Sequence, residues 1–318
     1  MLSSFLQATT MNKAYTWLCH QRKAYHSNSD IWDFRYHYKQ RQSQLIKSLA
    51  NGRFRFDPMM QLRLKKGTIH LWSSKDAFVL KMLSITLFKY CSAKQEISMK
   101  ACHIKNNGGI KQAVNTIKEK ADHYPFVFKS DIKGFYENLQ HDQLMTTLNT
   151  IIKDQRILDL IEQSIRRTVT FGGLYWDIKK GIPRGSSLSP LLGALALRDL
   201  DIAMSSIKGI HYSRYMDDWV VLCPTRAKLR KVIKITHKVL NILKLSLHPD
   251  KTFIGKTSKG FDFLGYFIQA GDGGLRVSRP TLNQAIAKLL QLYEQGKPLE
   301  ACRRYWHPNP ENIDDDGM

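Results

Sequence analysis

The sequence predicts an α+β fold, in which short strands joined by turns alternate with helices. Apolar residues alternate on both sides of a basic "KKG" in "MMQLRLKKGTIHLW" (59–72), which predicts a hairpin with a basic tip. A second pair of short strands, joined by a turn through Met216 to Asp218, is predicted in "GIHYSRYMDDWVVLC" (209–223). Strands joined by such turns pair antiparallel, and segments with helical periodicity separate them, so both kinds of element contribute to the fold.

Chain length and charge narrow the classes of protein to consider. At 318 residues the chain is long enough for two or three subdomains, since domains usually contain about 100 to 200 residues. Its 49 Lys and Arg residues against 27 Asp and Glu give a net charge of +22, while 43% of the residues are hydrophobic. A folded and strongly basic chain indicates a polyphosphate partner such as nucleic acid. Charge alone leaves ribosomal packing and an anionic membrane surface open.

The sequence indicates a soluble cytoplasmic protein without a membrane segment. It contains no run of about 18 apolar residues, and its N-terminus lacks the basic and apolar regions of a signal peptide. The cysteines are odd in number and lack CxxC spacing, which predicts neither a disulfide framework nor a zinc site. They are Cys19, Cys91, Cys102, Cys223 and Cys302.

The individual elements follow from local periodicity. Residues 1–50 are basic and rich in aromatics, with a helical pattern around Leu45, Ile46 and Leu49 that ends at Gly52. Further along, the pattern predicts a helix over 75–90, a strand over 124–136, a helix over 141–153, a glycine-rich loop leading into an apolar helix over 181–204, a helix with a basic face over 228–243, a strand segment over 261–268 and a last helix from Pro280 to Gly296.

Three carboxylates stand in segments that otherwise predict buried strands. Asp131 follows the apolar run "FVF", and Asp217 and Asp218 lie between aromatic and β-branched residues. A carboxylate in an apolar sheet is costly unless it is paired or coordinates a metal, and neighbouring carboxylates repel unless they share a cation. Mg²⁺ binds oxygen ligands and often bridges carboxylates to phosphates, so these residues predict a two-metal phosphoryl-transfer site. The alternative is a polar turn, a frequent role of "DD".

The order of five motifs bears on this choice. The strand with "DIKGFY", the loop "GIPRGSSLSP", the hairpin "YMDD", then "HPDKT" and "FDFLGY" occur in that order between about residues 50 and 270. In order and spacing they closely resemble the palm of a reverse transcriptase. The resemblance implies a right-hand polymerase fold, with a palm that consists of an antiparallel sheet backed by helices. Its divisions would be a basic N-terminal extension over 1–50, fingers over 51–123, a palm with finger insertions over 124–270, a short helical thumb over 271–307 and an acidic tail over 308–318.

The resemblance assigns the catalytic residues. Asp131 and Asp217 would be the principal ligands of two Mg²⁺ ions, for which Mn²⁺ is a substitute, and Asp218 would be the auxiliary carboxylate. Ile132 would offer its backbone carbonyl to the metal. Lys251 in "HPDKT" stands where these polymerases have a lysine near the pyrophosphate, which suits a proton donor to the leaving group. A merely solvated lysine is the alternative.

The resemblance also implies a nucleotide site. Tyr136, five positions after Asp131, would lie under the deoxyribose and leave no space for a 2′-hydroxyl, which favours dNTPs over NTPs. Arg184 replaces the usual glutamine before Gly185, in a loop whose glycines allow the backbone to approach the nucleotide closely. Phe135 is a further implied nucleotide-binding residue, although it also suits an aromatic residue of the core. The implied cations of the fingers are Arg63, Lys65 and Lys75, and Lys66 lies next to Lys65 at the hairpin tip.

Two further segments resemble nucleic-acid contacts. Leu264, Gly265 and Tyr266 in "FDFLGY" resemble the primer grip, although their alternation also fits an ordinary edge strand. The basic face from Lys228 to Lys238 fits either solubilising charge or nucleic-acid binding. A stronger nucleic-acid candidate combines cations with stacking aromatics after the thumb-like helix. It consists of Arg303, Arg304, Tyr305 and Trp306.

The resemblance implies an RNA-directed DNA polymerase that adds dNTPs to a primer 3′-hydroxyl. The chain ends soon after one predicted thumb helix, so we expect no ribonuclease H, integrase or HNH nuclease. The absence of "NAxxH" and "VTG" disfavours a retron enzyme, and the short C-terminus disfavours a complete group II intron maturase. What remains resembles the compact group II-like bacterial enzymes, including those of antiphage defence, which commonly work with a dedicated noncoding RNA.

The expected partners are an RNA template, including a cognate noncoding RNA, a DNA product and dNTPs. A protein partner or a homo-oligomer stays open. Two alternatives use the same fold: a catalytically silent or splicing-assisting RNA-binding protein, and a palm polymerase that makes RNA or works without a template. The presence of all three carboxylates disfavours the first alternative, and Tyr136 disfavours ribonucleotides.

Overall fold

The computed structural model describes residues 1–64 and 67–296 and divides into two compact units. The first unit comprises Met1–Ser98, Gly134–Asp199 and Leu240–Leu245. The second comprises Met99–Lys133, Leu200–Val239 and the chain from Ser246 onward. Each unit combines helices with a sheet, which confirms the α+β prediction. In the part of the chain that the structure describes, no helix is both long and apolar enough to cross a bilayer.

Helices and strands are numbered in chain order. The helices are α1 (Leu2–Phe5), α2 (Ala8–Gln21), α3 (Asp30–Ala50), α4 (Ser74–Ala93), α5 (Gly109–Ala121), α6 (Phe135–Asn138), α7 (His141–Ile151), α8 (Gln155–Ile165), α9 (Ser189–Ala196), α10 (Arg198–Ser205), α11 (Arg226–Ile242) and α12 (Arg279–Glu294). The strands are β1 (Met59–Leu64), β2 (Gly67–Leu71), β3 (Phe126–Asp131), β4 (Thr168–Phe171), β5 (Leu174–Asp177), β6 (His211–Tyr215), β7 (Asp218–Cys223), β8 (Phe253–Lys256), β9 (Phe261–Phe263), β10 (Tyr266–Ile268) and β11 (Leu275–Val277).

The first unit is organised around α4, which α1, α2 and α3 contact. The Ser73 hydroxyl caps α4 by accepting a hydrogen bond from the Asp76 N–H, and most of the helix is buried. Its sheet has the strand order β2-β1-β4-β5. The predicted hairpin is present, with Met60 opposite Leu71, but β1 also pairs in parallel with β4, which the sequence did not predict.

The second unit contains a four-stranded sheet with the order β6-β7-β3-β8, in which every neighbouring pair is antiparallel. Strands β3 and β7 are buried along almost their whole length. Helix α5 packs Val114 and Ile117 into a core that includes Val220 of β7 and Phe263 of β9. The antiparallel sheet and the turn between β6 and β7 are therefore confirmed.

The single apolar helix predicted within 181–204 differs from the observed structure. The chain forms two helices there, because the N–H of Leu197 bonds to the carbonyl of Leu195 instead of continuing the helical ladder. Helix α10 then starts at Arg198. Pro190 lies in the first turn of α9, and Pro280 lies in the first turn of α12, at the predicted start of the last helix.

Candidate active site

The three predicted catalytic carboxylates lie at one end of the sheet in the second unit. Asp131 is the last residue of β3 and Asp218 is the first residue of β7, and the antiparallel register places them directly opposite each other. Residues opposite each other in an antiparallel pair have neighbouring side chains on one face. Asp217 immediately precedes β7 in the turn. The fold thus brings together residues that are far apart in the sequence.

Backbone hydrogen bonds connect this strand end to two other segments. The N–H of Ile132 donates to the carbonyl of Asp217 at 3.3 Å, which ties β3 to the turn. The N–H of His248 donates to the carbonyl of Asp131 at 2.8 Å, and the N–H of Lys133 donates to Ser246 at 2.9 Å. The "HPDKT" segment is therefore fixed beside β3.

Two lysines form ion pairs with the carboxylates. Lys251 Nζ lies 2.9 Å from Asp131 Oδ2, and Lys129 Nζ lies 3.4 Å from Asp218 Oδ1. The hydrogen bond to Asp131 raises the pKa of Lys251, and the charges of Asp131, Asp217 and Asp218 raise it further. All three carboxylates consequently act on one ammonium group, which stays protonated near neutral pH.

The Asp218 side chain is largely buried, with 20% of its surface exposed. Burial raises its pKa to about 7, the charges of Asp131 and Asp217 add to the rise, and Lys129 opposes it. Its Oδ1 is buried and makes no hydrogen bond, although Lys129 is near enough for an ion pair. A buried carboxylate oxygen without a hydrogen bond is suited to a cation.

The donor set fits Mg²⁺ in its chemistry. Asp131, Asp217 and Asp218 supply hard oxygen ligands, and the buried Oδ1 of Asp218 is the observation that favours an ion. The carboxylates are not arranged as a ready-made cage: among residues 1–64 and 67–296, no group of three or more His, Cys, Asp or Glu residues could hold a metal without rearrangement. Mg²⁺ often completes its coordination with substrate phosphates and water, so an incomplete protein cage is compatible with it.

The turn before Asp217 is held by residues that the sequence analysis missed. Met216 has a positive φ of 54°, its N–H donates to His103 Nδ1 at 2.9 Å, and its carbonyl accepts from Arg214 Nη1 at 2.8 Å. The His103 ring also makes an edge contact with Tyr215, with the ring centroids 5.8 Å apart.

Arg214 is fully buried in β6 and pairs with Asp201 of α10 through two hydrogen bonds, one of them 2.8 Å from Nε to Oδ1. Burial disfavours the guanidinium, but the Asp201 carboxylate outweighs this effect and raises the pKa of Arg214. The Tyr212 hydroxyl also donates to Asp201, at 2.7 Å. The cost of burying a charge in a strand was a usable signal for Arg214, whereas no sequence signal pointed to Asp201 or His103.

Several implied nucleotide-binding residues lie in the first unit. Phe135 is 2% exposed and packs in the core, whereas Tyr136 is half-buried. The carbonyl of Tyr136 accepts from the N–H of Ile182, and a Cβ on Gly181 would lie 2.7 Å from that carbonyl oxygen, so only glycine fits there. Arg184 forms an exposed ion pair with Glu137 at 2.6 Å, beside the exposed Gly185.

The implied fingers cations are only partly described. The guanidinium of Arg63 lies 4.5 Å from the centroid of the Phe171 ring. Lys75 Nζ lies 2.8 Å from Asp57 and 5.4 Å from the Phe54 ring centroid. Lys65 and its neighbour Lys66 lie outside the described residues. Their roles on a triphosphate stay predictions.

The implied primer grip forms a hairpin turn in the second unit. Leu264 and Gly265, both with positive φ, connect β9 to β10, and Tyr266 is the first residue of β10. The carbonyl of Gly265 accepts from the N–H of Ser278 at 2.9 Å, next to the start of α12. Arg303, Arg304, Tyr305 and Trp306 lie outside the described residues, so their predicted nucleic-acid contact stays a prediction.

A comparison with known protein families agrees with the motif order. Residues 65–268 match the family described as "Reverse transcriptase (RNA-dependent DNA polymerase)". Because this match covers more than half of the 318 residues, the chain belongs to that family. The resemblance inferred from the five motifs is thereby confirmed.

The curated relatives include intron-encoded proteins. The chain is 26% identical to Protein YkfC of Escherichia coli (strain K12), covering 44% of this chain and 46% of that protein. It is 21% identical to the group II intron-encoded protein LtrA of Lactococcus lactis subsp. cremoris, covering 79% of this chain and 54% of LtrA. An uncharacterized 91 kDa protein in the cob intron of Schizosaccharomyces pombe is 26% identical over 52% of this chain. The chain spans about half the length of the first two relatives.

Among solved structures, the chain is similar to a telomerase from Candida albicans in complex with a fragment of telomeric RNA. The TM-score is 0.60 at 14% sequence identity, covering 77% of this chain and 50% of the telomerase chain. A likeness at this identity bears on the fold alone, and it confirms the right-hand polymerase fold.

Proposed function

We propose that the chain is an RNA-directed DNA polymerase that adds dNTPs to the 3′-hydroxyl of a primer. The observation that carries this proposal is the pairing of Asp131 with Asp218 across β3 and β7, with Asp217 in the adjoining turn and the Lys251 ammonium on Asp131. Family membership supports the reaction class, and the donor set supports a divalent metal.

In the proposed reaction, Asp131 and Asp217, with Asp218 beside them, would hold two Mg²⁺ ions, and Mn²⁺ would substitute. When bound, these ions supply activation of the primer hydroxyl and charge stabilisation at the leaving pyrophosphate. The primer 3′-hydroxyl loses its proton to solvent water, a new bond forms between its oxygen and the α-phosphorus, and the bond from that phosphorus to the pyrophosphate oxygen breaks. Lys251, which is protonated, would donate a proton to that departing oxygen.

Primer extension with purified protein tests the proposal directly. A primed RNA template is incubated with Mg²⁺ and either dNTPs or NTPs, using the wild type and Asp217→Asn. We expect incorporation of dNTPs, a loss of about 10³-fold in Asp217→Asn because several kcal/mol of charge stabilisation disappear, and weaker activity with NTPs. Extension that is unchanged in Asp217→Asn would contradict the assignment.

The other outcomes separate the alternatives. Incorporation only of NTPs indicates a palm polymerase that makes RNA. Equal incorporation with and without a template indicates a palm polymerase that works without a template. Tight RNA binding with no incorporation under any of these conditions indicates a silent or splicing-assisting protein. If the chain is a palm polymerase that makes RNA or works without a template, Tyr136→Ala should not change the preference between dNTPs and NTPs. If it is an RNA-directed DNA polymerase, Tyr136→Ala should raise NTP incorporation.

We further propose that the template is a dedicated noncoding RNA and that the enzyme serves antiphage defence. The net charge of +22 supports a stable RNA complex, and the resemblance to compact group II-like bacterial enzymes supports the pathway. Sequencing of RNA that copurifies with Asp217→Asn should recover one dominant species. Plaque counts on bacteria expressing the wild type should fall relative to bacteria expressing Asp217→Asn; equal counts would exclude the defence role.

A further inference from the structure

A cleft in the second unit lies between α11 and the edge strand β8, apart from the carboxylates. Its volume is about 400 Å³, and Phe126 and Ile254 are among the apolar residues that line it. Ile254 is 51% exposed, which leaves apolar surface open at the edge of the sheet. Small-ligand sites typically have volumes of about 300 to 1,000 Å³, so the cleft has room for a group the size of a nucleotide.

Four cations surround this apolar surface. Arg226 and Arg230 come from α11, and Lys256 and Lys259 come from the segment around β8. All four side chains are exposed, and none forms an ion pair with a carboxylate of the described residues. The lining contains no Asp or Glu, and neither does α11 as a whole. The positive charge is therefore available to a ligand.

One of the cations already interacts with an aromatic ring. The guanidinium of Arg226 lies 5.9 Å from the centroid of the half-buried Phe126 ring. An aromatic face next to guanidinium groups is the combination that binds single-stranded nucleic acid, because bases stack on it while the cations contact phosphates. An acidic peptide would use the cations but not the ring.

The cleft is separated from the catalytic end of the sheet by the length of β3. Phe126 is the first residue of β3 and Asp131 is the last, which corresponds to about 16 Å at a rise of about 3.3 Å per residue. Lys256 pairs with Phe126 in the register of β3 and β8, so the cations belong to the same far end. A ligand in the cleft would not occupy the position of the reacting phosphates.

We propose that this cleft binds a single-stranded segment of RNA outside the catalytic site. Two to four phosphates contact Arg226, Arg230, Lys256 and Lys259, and a base lies against Phe126. The choice of RNA over DNA rests on the proposed function. The cleft would anchor RNA that the enzyme does not copy at that moment.

The test compares two pairs of substitutions with equal loss of charge. Arg230→Gln/Lys256→Gln removes cations of the cleft, whereas Lys234→Gln/Lys238→Gln removes exposed cations of the same helix that do not line it. Both are made in the Asp217→Asn background. The measured quantity is the affinity for a labelled single-stranded RNA oligonucleotide across a salt series, with thermal melting as a check on folding.

We expect the cleft pair to weaken binding about tenfold near 0.15 M salt and to lower the slope of log K against log salt by about 1.4, since each lost phosphate contact accounts for about 0.7 in single strands. The control pair should change the affinity less than twofold. RNA carrying 4-thiouridine should crosslink to peptides containing Phe126 or Arg226. Because binding is measured without dNTPs, the result does not depend on whether the protein has polymerase activity. Failure of this proposal can therefore be told apart from failure of the proposed polymerase function.

Three results would overturn the proposal. Equal weakening by both pairs means that the cations act only as general surface charge. Loss of the crosslink when a polyglutamate peptide of matched charge is present before crosslinking identifies an acidic protein partner instead. Flotation with phosphatidylserine vesicles that the cleft pair abolishes identifies a lipid surface.

Discussion

Met216 is the most constrained residue of the turn that carries Asp217, although its own side chain has no chemical role in the proposal. Its peptide groups are held on both sides, by His103 Nδ1 and by the guanidinium of Arg214. A non-glycine residue with positive φ needs such support, because left-handed backbone is unfavourable for a side chain with a Cβ. These two contacts therefore position Asp217.

Substitution of His103 tests this positioning role. His103→Leu removes the acceptor for the Met216 N–H, and we expect kcat for nucleotide addition to fall about tenfold, the equivalent of one hydrogen bond. KM for dNTP should change less than twofold, because the residue acts through the turn and not on the nucleotide. His103→Asn restores an acceptor and should recover most of kcat. Equal loss in both variants would contradict the role.

Lys251 is predicted to act in proton transfer. Lys251→Met should lower kcat by about 10²-fold, the lower end of the usual contribution of a general acid, because the leaving pyrophosphate loses its donor. Lys251→Arg keeps the charge beside Asp131 but binds its proton more tightly, so only part of the activity should return. Lys238→Met, an exposed lysine of α11, is the control and should leave kcat unchanged. A Lys251→Met enzyme with full activity would exclude the role.

At the scale of single elements, the first turn of α4 contains a buried acid that costs stability. Asp76 is 0% exposed, and burial raises its pKa from 3.8 to about 7, although the nearby Lys75 opposes this rise. Its Oδ2 accepts from the N–H of Asp57 at 2.9 Å, and its Oδ1 makes no hydrogen bond. The folded state thus binds a proton more tightly than the unfolded chain.

The pH dependence of unfolding follows from this difference. The stability that the protonated form of Asp76 provides is complete below about pH 4 and is lost as the pH rises to about 7, with a total of roughly 4 kcal/mol. Asp76→Asn remains neutral and should be more stable than the wild type at pH 8 but not at pH 4. Urea unfolding at the two pH values measures this. A constant difference between the two proteins would refute it.

The elements that the sequence predicted are those whose pattern is local. Strands β3 and β7 were predicted because aromatic and β-branched residues lie within a few positions of one another in each. Helix α5 was missed although Ala113, Val114 and Ile117 have helical spacing, because Gly108 and Gly109 stand at its start and glycines are typical of loops. Strand β5 was missed because it is exposed along its whole length and so has no apolar pattern. Strand β4 was missed because its position in the sheet depends on pairing with β1, which lies about 100 residues earlier in the sequence.

The same distinction between local patterns and long-range contacts explains which residues of the candidate site could be predicted. Asp131, Asp217, Asp218 and Lys251 were predicted from motif order, and the structure brings their side chains together. The link from His103 to Met216 spans 113 residues and depends on the folded path of the chain, so no sequence pattern contains it. For Arg214, in contrast, the cost of a buried charge was visible in the sequence, but its partner Asp201 was not.

At the scale of the whole molecule, the net charge of +22 predicts strong salt dependence of nucleic-acid binding. A protein with six to ten phosphate contacts loses about 10³ to 10⁵ in affinity between 50 mM and 200 mM salt. We expect a loss of that order for a primed RNA template, measured by fluorescence anisotropy. A change below about tenfold would mean that most of the positive charge lies away from the bound template.

The ion pairs of Lys129 and Lys251 with the clustered carboxylates affect how the protein should behave when divalent cations are removed. Their ammonium groups offset two of the three clustered carboxylates, so the strand ends of β3 and β7 do not rely on a dissolved cation to relieve repulsion. Folding and catalytic competence are then separable properties. Purification in excess EDTA should leave the melting temperature within about 2 °C of its value in Mg²⁺, a shift that corresponds to about 1.3 kcal/mol for a chain of 318 residues. Returning Mg²⁺ should restore extension without refolding.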